Sequence, residues 1–140
     1  MLEAGSVVMS SLVGIPYFIL YFVLGAALMT IFVILYTRIT PHDEFGLIQS
    51  GNITASLGLA GAMIGFALPL AKAIAQAVSA VDLLIWALAA LVVQLLAYAI
   101  TRAMLRELPK MIAEDRLPGG IMMAAGSIAC GLLNAAAMSL

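Results

Sequence analysis

The chain has 140 residues, of which 65% are hydrophobic and only 9% are charged, and its mean hydropathy is +1.19. A typical soluble domain is about 45–50% apolar and about 25% charged, so this composition could not supply a solvated surface. A formal net charge of -1 leaves no positive field for a polyanion. The composition therefore excludes a cytosolic enzyme, a nucleic-acid-binding protein and a disordered tail, and it indicates a protein embedded in a bilayer.

Four long uncharged segments separate the charged residues, and their lengths suit membrane-spanning helices. A helix rises about 1.5 Å per residue, so about 20 mostly apolar residues cross about 30 Å of hydrocarbon. A transmembrane β-barrel would need alternating apolar and polar residues, whereas LAALVV at residues 88–93 is apolar on every side. A soluble bundle would need charged helix faces. We predict an all-α polytopic membrane protein with transmembrane helices near residues 14–38, 53–76, 81–106 and 119–139.

The basic residues are distributed unevenly over the two sides of this topology. The loops after the first and third helices share one side and carry five of the six basic residues, namely Arg38, Arg102, Arg106, Lys110 and Arg116. Only Lys72 lies on the other side. The positive-inside rule places the basic loops in the cytoplasm, so we predict that both termini lie outside.

The two halves of the chain share a pattern that indicates an internal repeat. Thr37-Arg38 recurs as Thr101-Arg102, and each pair precedes a short charged stretch and a Gly/Ala-rich segment. At nearly the same offset, Gly65 aligns with Gly131. Each half holds two spans, so both halves cross the membrane in the same direction. We predict a single transmembrane domain over residues 1–140, built as a parallel 2+2 repeat of about 14–76 and about 81–140.

Short amphipathic segments follow the first and third spans. In the first, Thr40 is a candidate N-cap, Pro41 suits the first helical position, and the acids that follow favour the positive end of a helix. In the second, from Arg106 to Arg116, apolar and charged residues are interleaved. We predict that both segments form short helices on the inner leaflet. The candidate inner-interface residues are Arg38, His42, Asp43, Glu44, Arg102 and Arg106.

The ionisable residues of this sequence do not supply a catalytic or metal site. There is one histidine, His42, and one cysteine, Cys130, so metal sites with paired histidines and Cys/His nucleophiles are disfavoured. His42, Asp43 and Glu44 could together bind a cation, but a capped, solvated helix start is the favoured interpretation. We predict a protein that is not an enzyme and has no metal and no cofactor.

Four uncharged polar residues lie within or at the edge of the predicted spans. They are Thr30, Gln94 and Asn134 near mid-bilayer and Asn52 at the inner edge. Such side chains usually form hydrogen bonds with a neighbouring helix, although they could instead line a hydrated path; packing is the favoured alternative. The middle of each span lacks ionisable groups, which argues against proton pumping and voltage sensing.

The second and fourth spans are rich in small residues at spacings of three and four, which allow helix backbones to approach closely. We predict that these spans lie at the centre of the protomer, at an oligomer contact, or both. The candidate packing residues are Gly58, Gly61, Gly65, Ser127 and Gly131. Pro69 removes a backbone hydrogen bond from the second span and is expected to kink it.

Several separate motifs occur in an order that resembles one known family. They are EFGLIQSGN at residues 44–52, GFALP at 65–69, DLLIW at 82–86, VVQL at 92–95 and GLLNAA at 131–136. From about Tyr17 to the end, the chain resembles the domain-of-unknown-function 350 family, the YjfL-like bacterial inner-membrane proteins. The resemblance implies a duplicated pair of membrane helices, a place in the bacterial inner (cytoplasmic) membrane, and an envelope or membrane-homeostasis setting. With that location, both predicted termini are periplasmic.

These observations favour a non-enzymatic integral membrane protein, because almost nothing extends beyond the bilayer to perform chemistry. We expect a homo-oligomeric scaffold whose two basic links contact soluble cytoplasmic envelope-maintenance proteins or anionic lipid. The alternative is a small channel or transporter subunit for ions or small solutes, with Gln94, Asn134 and the kinked second span lining a path. The expected partners are the lipid bilayer and further copies of the chain, and no nucleic acid.

Overall fold

A computed structural model of the protein describes residues 1–139, and within that range every regular element is a helix. The helices are α1 (Leu2–Ile39), α2 (Glu44–Gln49), α3 (Ile53–Gln76), α4 (Ala80–Met104), α5 (Leu108–Ala113) and α6 (Leu117–Ala137). Among them, α1, α3, α4 and α6 are long and apolar enough to cross a membrane. The predicted all-α fold with four membrane-spanning helices is confirmed.

The first helix is longer than the sequence predicted. It begins at Leu2 instead of near residue 14, because nothing before Val13 interrupts a helix. The hydroxyls of Ser6 and Ser10 donate hydrogen bonds to carbonyls three residues earlier within the same helix, at 2.8 and 2.9 Å. A serine that satisfies its hydroxyl in this way is compatible with a helix interior.

The short helices α2 and α5 lie between the long ones, and the N-cap of α2 differs from the predicted one. Thr40 still belongs to the end of α1, since its N–H donates to the Tyr36 carbonyl at 3.1 Å. Asp43 is the N-cap instead, and its carboxylate accepts a hydrogen bond from the Gly46 N–H at 3.2 Å. The prediction that Thr40 caps this helix is therefore wrong.

The helix α3 lies at the centre of the fold and contacts each of the other five helices. Its closest neighbour is α6, and α4 packs against both of them, so α3, α4 and α6 form a three-helix core. A long helix, a short helix and a second long helix follow one another twice along the chain, first as α1, α2 and α3 and then as α4, α5 and α6. The 2+2 repeat inferred from the sequence stays a prediction.

The helix α1 packs on this core through its C-terminal half. Phe32 stacks on Phe66 of α3 with ring centroids 4.6 Å apart, and Gly25 lies against Ile74 near the end of α3. Residues 1–20 are all exposed. Tyr17 and Ile74 line the same shallow groove, so they lie at the same height along the bundle. The part of α1 before Tyr17 therefore projects beyond the end of α3 at Gln76. We call this the outer end of the bundle and the opposite one the inner end, after the orientation that the basic residues predict.

Candidate functional site

Small residues allow the backbones of α3 and α6 to meet directly. A Cβ atom placed on Gly61 would overlap the backbone of Ala124, and one placed on Gly65 would overlap the Ser127 carbonyl. Gly131 leaves equally little room, because its Cα faces the Gly65 carbonyl. Small residues at such positions favour close association of helices in a membrane. The structure thus places four of the candidate packing residues in one contact.

The remaining candidate positions of α3 are buried but less tightly packed. A Cβ atom on Gly58 would lie 3.7 Å from Cγ of Met123, an ordinary van der Waals distance. Pro69 is fully buried inside α3, which continues past it to Gln76. The kink expected at Pro69 stays a prediction.

Gln94 joins α4 to the contact between α3 and α6. The residue is only 2% exposed, and its Nε2 donates to the Gly65 carbonyl at 2.9 Å and to the Ser127 carbonyl at 3.3 Å. One acceptor belongs to α3 and the other to α6. Its Oε1 atom is buried and has no hydrogen-bond partner within residues 1–139. The amide of Gln94 therefore lies at a junction of three packed helices.

The other polar residues singled out by the sequence lie apart from Gln94. Thr30 is exposed on α1, and its hydroxyl donates to the Ala26 carbonyl of the same helix at 2.8 Å. Asn134 lies about two turns further along α6 than Ser127. It is half-buried, and its Nδ2 atom has no hydrogen-bond partner in the described part of the chain. These side chains do not form a continuous polar line with Gln94.

At the inner end of the bundle, the second link holds the start of α3. The Asp115 carboxylate accepts hydrogen bonds from the Thr54 N–H at 2.9 Å and from the Thr54 hydroxyl at 2.8 Å. Asn52 is the N-cap of α3, accepting from the Ala55 N–H at 2.8 Å, and its Nδ2 donates to the Ile112 carbonyl at 2.7 Å. We call Asn52, Thr54, Ile112 and Asp115 the inner latch. In the inner latch, Asn52 connects the start of α3 to α5.

Asp115 is a connecting side chain of the inner latch that the sequence patterns do not reveal. Hydrogen bonds from the backbone and then the side chain of Thr54 hold the pKa of its carboxyl below the usual range. Its φ of 54° lies in the left-handed region, which Asp and Asn adopt more readily than most residues. No local signal identifies Asp115, because its partner lies 61 positions earlier in the chain.

A second group of polar residues is buried where α1 and α4 reach the same side. Glu44 is 2% exposed, and its Oε1 lies 2.9 Å from Nε2 of His42. The buried rings of Tyr36 and Tyr98 meet edge to face with centroids 5.6 Å apart. Glu44 begins α2, shortly after the end of α1 that carries Tyr36. We call Tyr36, His42, Glu44 and Tyr98 the inner polar cluster.

Each member of the inner polar cluster has a buried polar atom without a hydrogen-bond partner among residues 1–139. These atoms are the Tyr36 and Tyr98 hydroxyls, His42 Nδ1 and Glu44 Oε2. The sequence favoured a capped, solvated helix start at residues 42–44. Asp43 fits this interpretation, because it is exposed and caps α2, whereas Glu44 does not, because it is buried. A buried carboxylate is costly unless it is paired, and His42 supplies the partner.

The ionisable residues of the described range do not assemble into a metal site. Groups of three or more His, Cys, Asp or Glu side chains that could hold an ion are absent from that range. His42 and Glu44 offer two such side chains, and Cys130 lies elsewhere, half-buried on α6. Within the inner polar cluster, one hydrogen bond joins His42 to Glu44, and the two phenol hydroxyls stay unpartnered in that range.

The basic inner-interface candidates lie at the same end of the bundle as the inner polar cluster. Arg38, Arg102 and Arg106 are exposed, and none forms an ion pair with another residue of the range 1–139. Arg116 differs, because it lies 3.7 Å from a Glu107 carboxylate oxygen and 3.9 Å from one of Glu114. The three exposed guanidinium groups of Arg38, Arg102 and Arg106 thus differ from Arg116 in lacking an ion-pair partner within that range.

Comparisons with known proteins agree with this architecture. The family model described as Domain of Unknown Function (DUF350) matches residues 9–138. The UPF0719 inner membrane protein YjfL of Escherichia coli strain K12 is 39% identical over 119 residues, covering 85% of this chain and 90% of that protein, and YjfL of strain O157:H7 matches equally. No solved structure matches the chain significantly. With its four apolar helices, the chain is a multi-pass inner-membrane protein and belongs to the DUF350 family.

Proposed function

We propose that the protein is a non-enzymatic scaffold of the inner membrane that forms homo-oligomers through the N-terminal part of α1. The observation that carries this proposal is the length and exposure of that helix. Its 38 residues extend about 57 Å, against about 30 Å of hydrocarbon in a bilayer. Residues 1–20 lack any covering element, and they include the exposed side chains of Val7, Met9 and Val13.

An apolar helix that leaves the hydrocarbon gains stability by burying its side chains. The segment before Tyr17 is such a helix, and its sequence contains an association face of small residues. Ser6, Ser10 and Gly14 follow one another at intervals of four, so they lie on one side of α1. A Cβ atom on Gly14 would meet nothing within 4 Å. Small residues in this spacing let the backbones of two like helices approach closely, and the exposed apolar side chains around them are then buried.

The scaffold's second surface is the link around α5, which lies on the cytoplasmic side according to the positive-inside rule. Its exposed charged residues are Glu107, Lys110, Glu114, Asp115 and Arg116. Charged side chains of both signs suit a rim that contacts soluble proteins. We propose that soluble envelope-maintenance proteins bind here, which gives the protein a role in membrane homeostasis.

Self-association can be tested with a matched pair of substitutions in α1. Gly14→Leu places a large side chain on the small-residue face, and Gly5→Leu places the same side chain on the opposite side of the helix, since nine residues turn an α-helix by about 180°. In nanodiscs or mild detergent, measured by light scattering and chemical cross-linking, Gly14→Leu is expected to lower the oligomeric fraction and Gly5→Leu to leave it unchanged. A wild-type protein that stays monomeric at every protein-to-lipid ratio would overturn the proposal.

A small channel or transporter subunit for ions or solutes is the second candidate. It is supported by the unpartnered buried atoms Gln94 Oε1 and Asn134 Nδ2. The close contact of α3 and α6 leaves no room between those helices, so a conducting path lined by Gln94 requires them to move apart. Flux of ions or small solutes into liposomes that Gln94→Leu or Asn134→Leu abolishes would favour this candidate over the scaffold. Liposomes that stay impermeable would exclude it.

A further inference from the structure

A lateral groove of about 480 Å³ opens where the end of α1 lies beside α4. Its lining residues are Ile39, Leu95, Tyr98, Ala99, Arg102, Ala103 and Arg106. The charged residues of the lining are confined to one end of the groove, and the other lining residues except Tyr98 are apolar. Arg102 and Arg106 lie at its inner end, and Leu95 lies about two helical turns deeper than Arg102.

The inner end of the groove has the chemistry of a phosphate site. Arg102 lies four residues after Tyr98, so both occupy the same face of α4, and Arg106 follows in the turn after the helix ends. Neither guanidinium has an ion-pair partner among the residues that the structure describes. Guanidinium groups bind phosphate oxygens through two parallel hydrogen bonds, and they do so more specifically than ammonium groups.

Tyr98 adds a buried phenol to the wall of the groove. The residue is 3% exposed, it lines the groove, and its buried hydroxyl lacks a partner within residues 1–139. A phenol O–H can donate to a phosphate oxygen, which would satisfy this atom. The nearby carboxylate of Glu44 is not part of the groove wall, and one of its oxygens is already engaged by His42.

We propose that this groove binds one phospholipid with an anionic headgroup. Its phosphate lies on Arg102, Arg106 and the Tyr98 hydroxyl, and an acyl chain follows the apolar wall past Ala99 and Leu95. The apolar wall and the opening toward the bilayer favour a lipid over a free phosphate ion, which would use the inner end alone. This site belongs to a single protomer and does not depend on self-association.

Native mass spectrometry of the purified protein tests the proposal with phosphatidylglycerol and phosphatidylcholine of the same acyl composition. The wild-type protein is expected to retain phosphatidylglycerol preferentially. Arg102→Gln combined with Arg106→Gln is expected to weaken that binding about thirtyfold, because each basic residue near an anionic lipid contributes about fivefold. Tyr98→Phe, which removes only the hydroxyl, is expected to weaken it less.

The matched control is Lys110→Gln combined with Arg116→Gln, which removes the same charge from the same side of the protein but outside the groove. This variant is expected to retain wild-type binding. An equal loss in both double variants would mean general attraction to a basic surface and would overturn the proposal. Equal retention of the two lipids would overturn it too, as would displacement of phosphatidylglycerol by inorganic phosphate at matching concentration.

Discussion

Asp115 connects two parts of the molecule through a single carboxylate, and its lowered pKa makes that connection dependent on pH. A carboxyl whose pKa is lower in the folded state stabilises the fold above its ordinary pKa of about 3.9. The stabilisation is lost as the pH falls through the lower, folded value. The hydrogen bonds to Thr54 therefore hold α3 most firmly near neutral pH.

We predict that Asp115→Ala lowers the thermal stability at pH 7, and that its deficit relative to wild type shrinks as the pH falls below about 4. Circular dichroism of the detergent-solubilised protein during heating measures both effects. Asp115→Asn is the control, because Asn accepts the same hydrogen bonds and tolerates the left-handed backbone. A deficit of the alanine variant that grew toward acidic pH would contradict the assignment.

Gln94 offers a second test at the level of one side chain. Gln94→Met keeps the volume and removes the donors to the Gly65 and Ser127 carbonyls. Interhelical hydrogen bonds in membranes contribute about 0.6 kcal/mol on average and up to about 1.7 kcal/mol. We expect a loss of stability in this range, measured by reversible unfolding in mixed micelles. Thr30→Val is the comparison, and an equal loss there would show that Gln94 has no special role.

Some of these side chains could be identified from the sequence and others could not. Gln94 and Asn52 are conspicuous because polar residues are rare in apolar segments. The burial of Glu44 and the hydrogen bonds from Thr54 to Asp115 could not be predicted, because each depends on residues distant in the chain. The sequence reports that a residue is polar, but only the fold determines which polar atoms meet.

At the scale of helices, the contact between α3 and α6 sets the spacing of the bundle. A Cβ added at Gly65 or Gly131 would collide with backbone atoms, which cannot rotate away as a side chain can. Overpacking of this kind typically costs about 1–3 kcal/mol. The exposed Gly5 is different, because a Cβ there meets nothing within 4 Å.

We therefore predict that Gly65→Ala and Gly131→Ala each destabilise the protein by about 1–3 kcal/mol. Gly5→Ala is expected to be neutral or to stabilise α1 by up to about 1 kcal/mol, because alanine loses less backbone entropy in a helix. Unfolding in mixed micelles compares the three variants. If Gly65→Ala were as harmless as Gly5→Ala, the backbone contact would be absent in the folded protein.

The spacing of small residues indicated that α3 and α6 lie at the centre of the protomer, at an oligomer contact, or both, because small residues at intervals of three and four let helix backbones approach closely. The start of α1 was harder to locate, since no breaker or cap marks Leu2. The N-cap of α2 was misassigned because Thr40 and Asp43 both have side chains that can cap, and only the end of α1 decides between them.

For the whole molecule, the orientation in the membrane is a prediction from the basic residues. In a Cys130→Ser background, we predict that Glu114→Cys is protected from a membrane-impermeant maleimide in intact cells and that Val78→Cys is labelled. Both positions are exposed, so access to the reagent depends on the side of the membrane. Labelling of Glu114→Cys alone would place the termini in the cytoplasm.

The number of spanning helices could be predicted because bilayer thickness dictates their length and charged residues mark their ends. The arrangement of those helices around α3 could not. Their sequences are apolar on nearly every face, so lipid-facing and protein-facing sides give similar patterns. The exposed first half of α1 became visible only in three dimensions, as did the contacts of α3 with each of the other five helices.

The inner latch has a consequence for how the polypeptide could be divided. Asn52 and Thr54 precede the outer turn at Val78, while Ile112 and Asp115 follow it, and the bonds from Gln94 to Gly65 cross the same point. A gene interrupted at that turn would encode two helical hairpins, each carrying one side of these contacts. The peptide bond at the turn then acts as a tether, and two separately translated hairpins carry the complementary surfaces needed to reunite in the membrane.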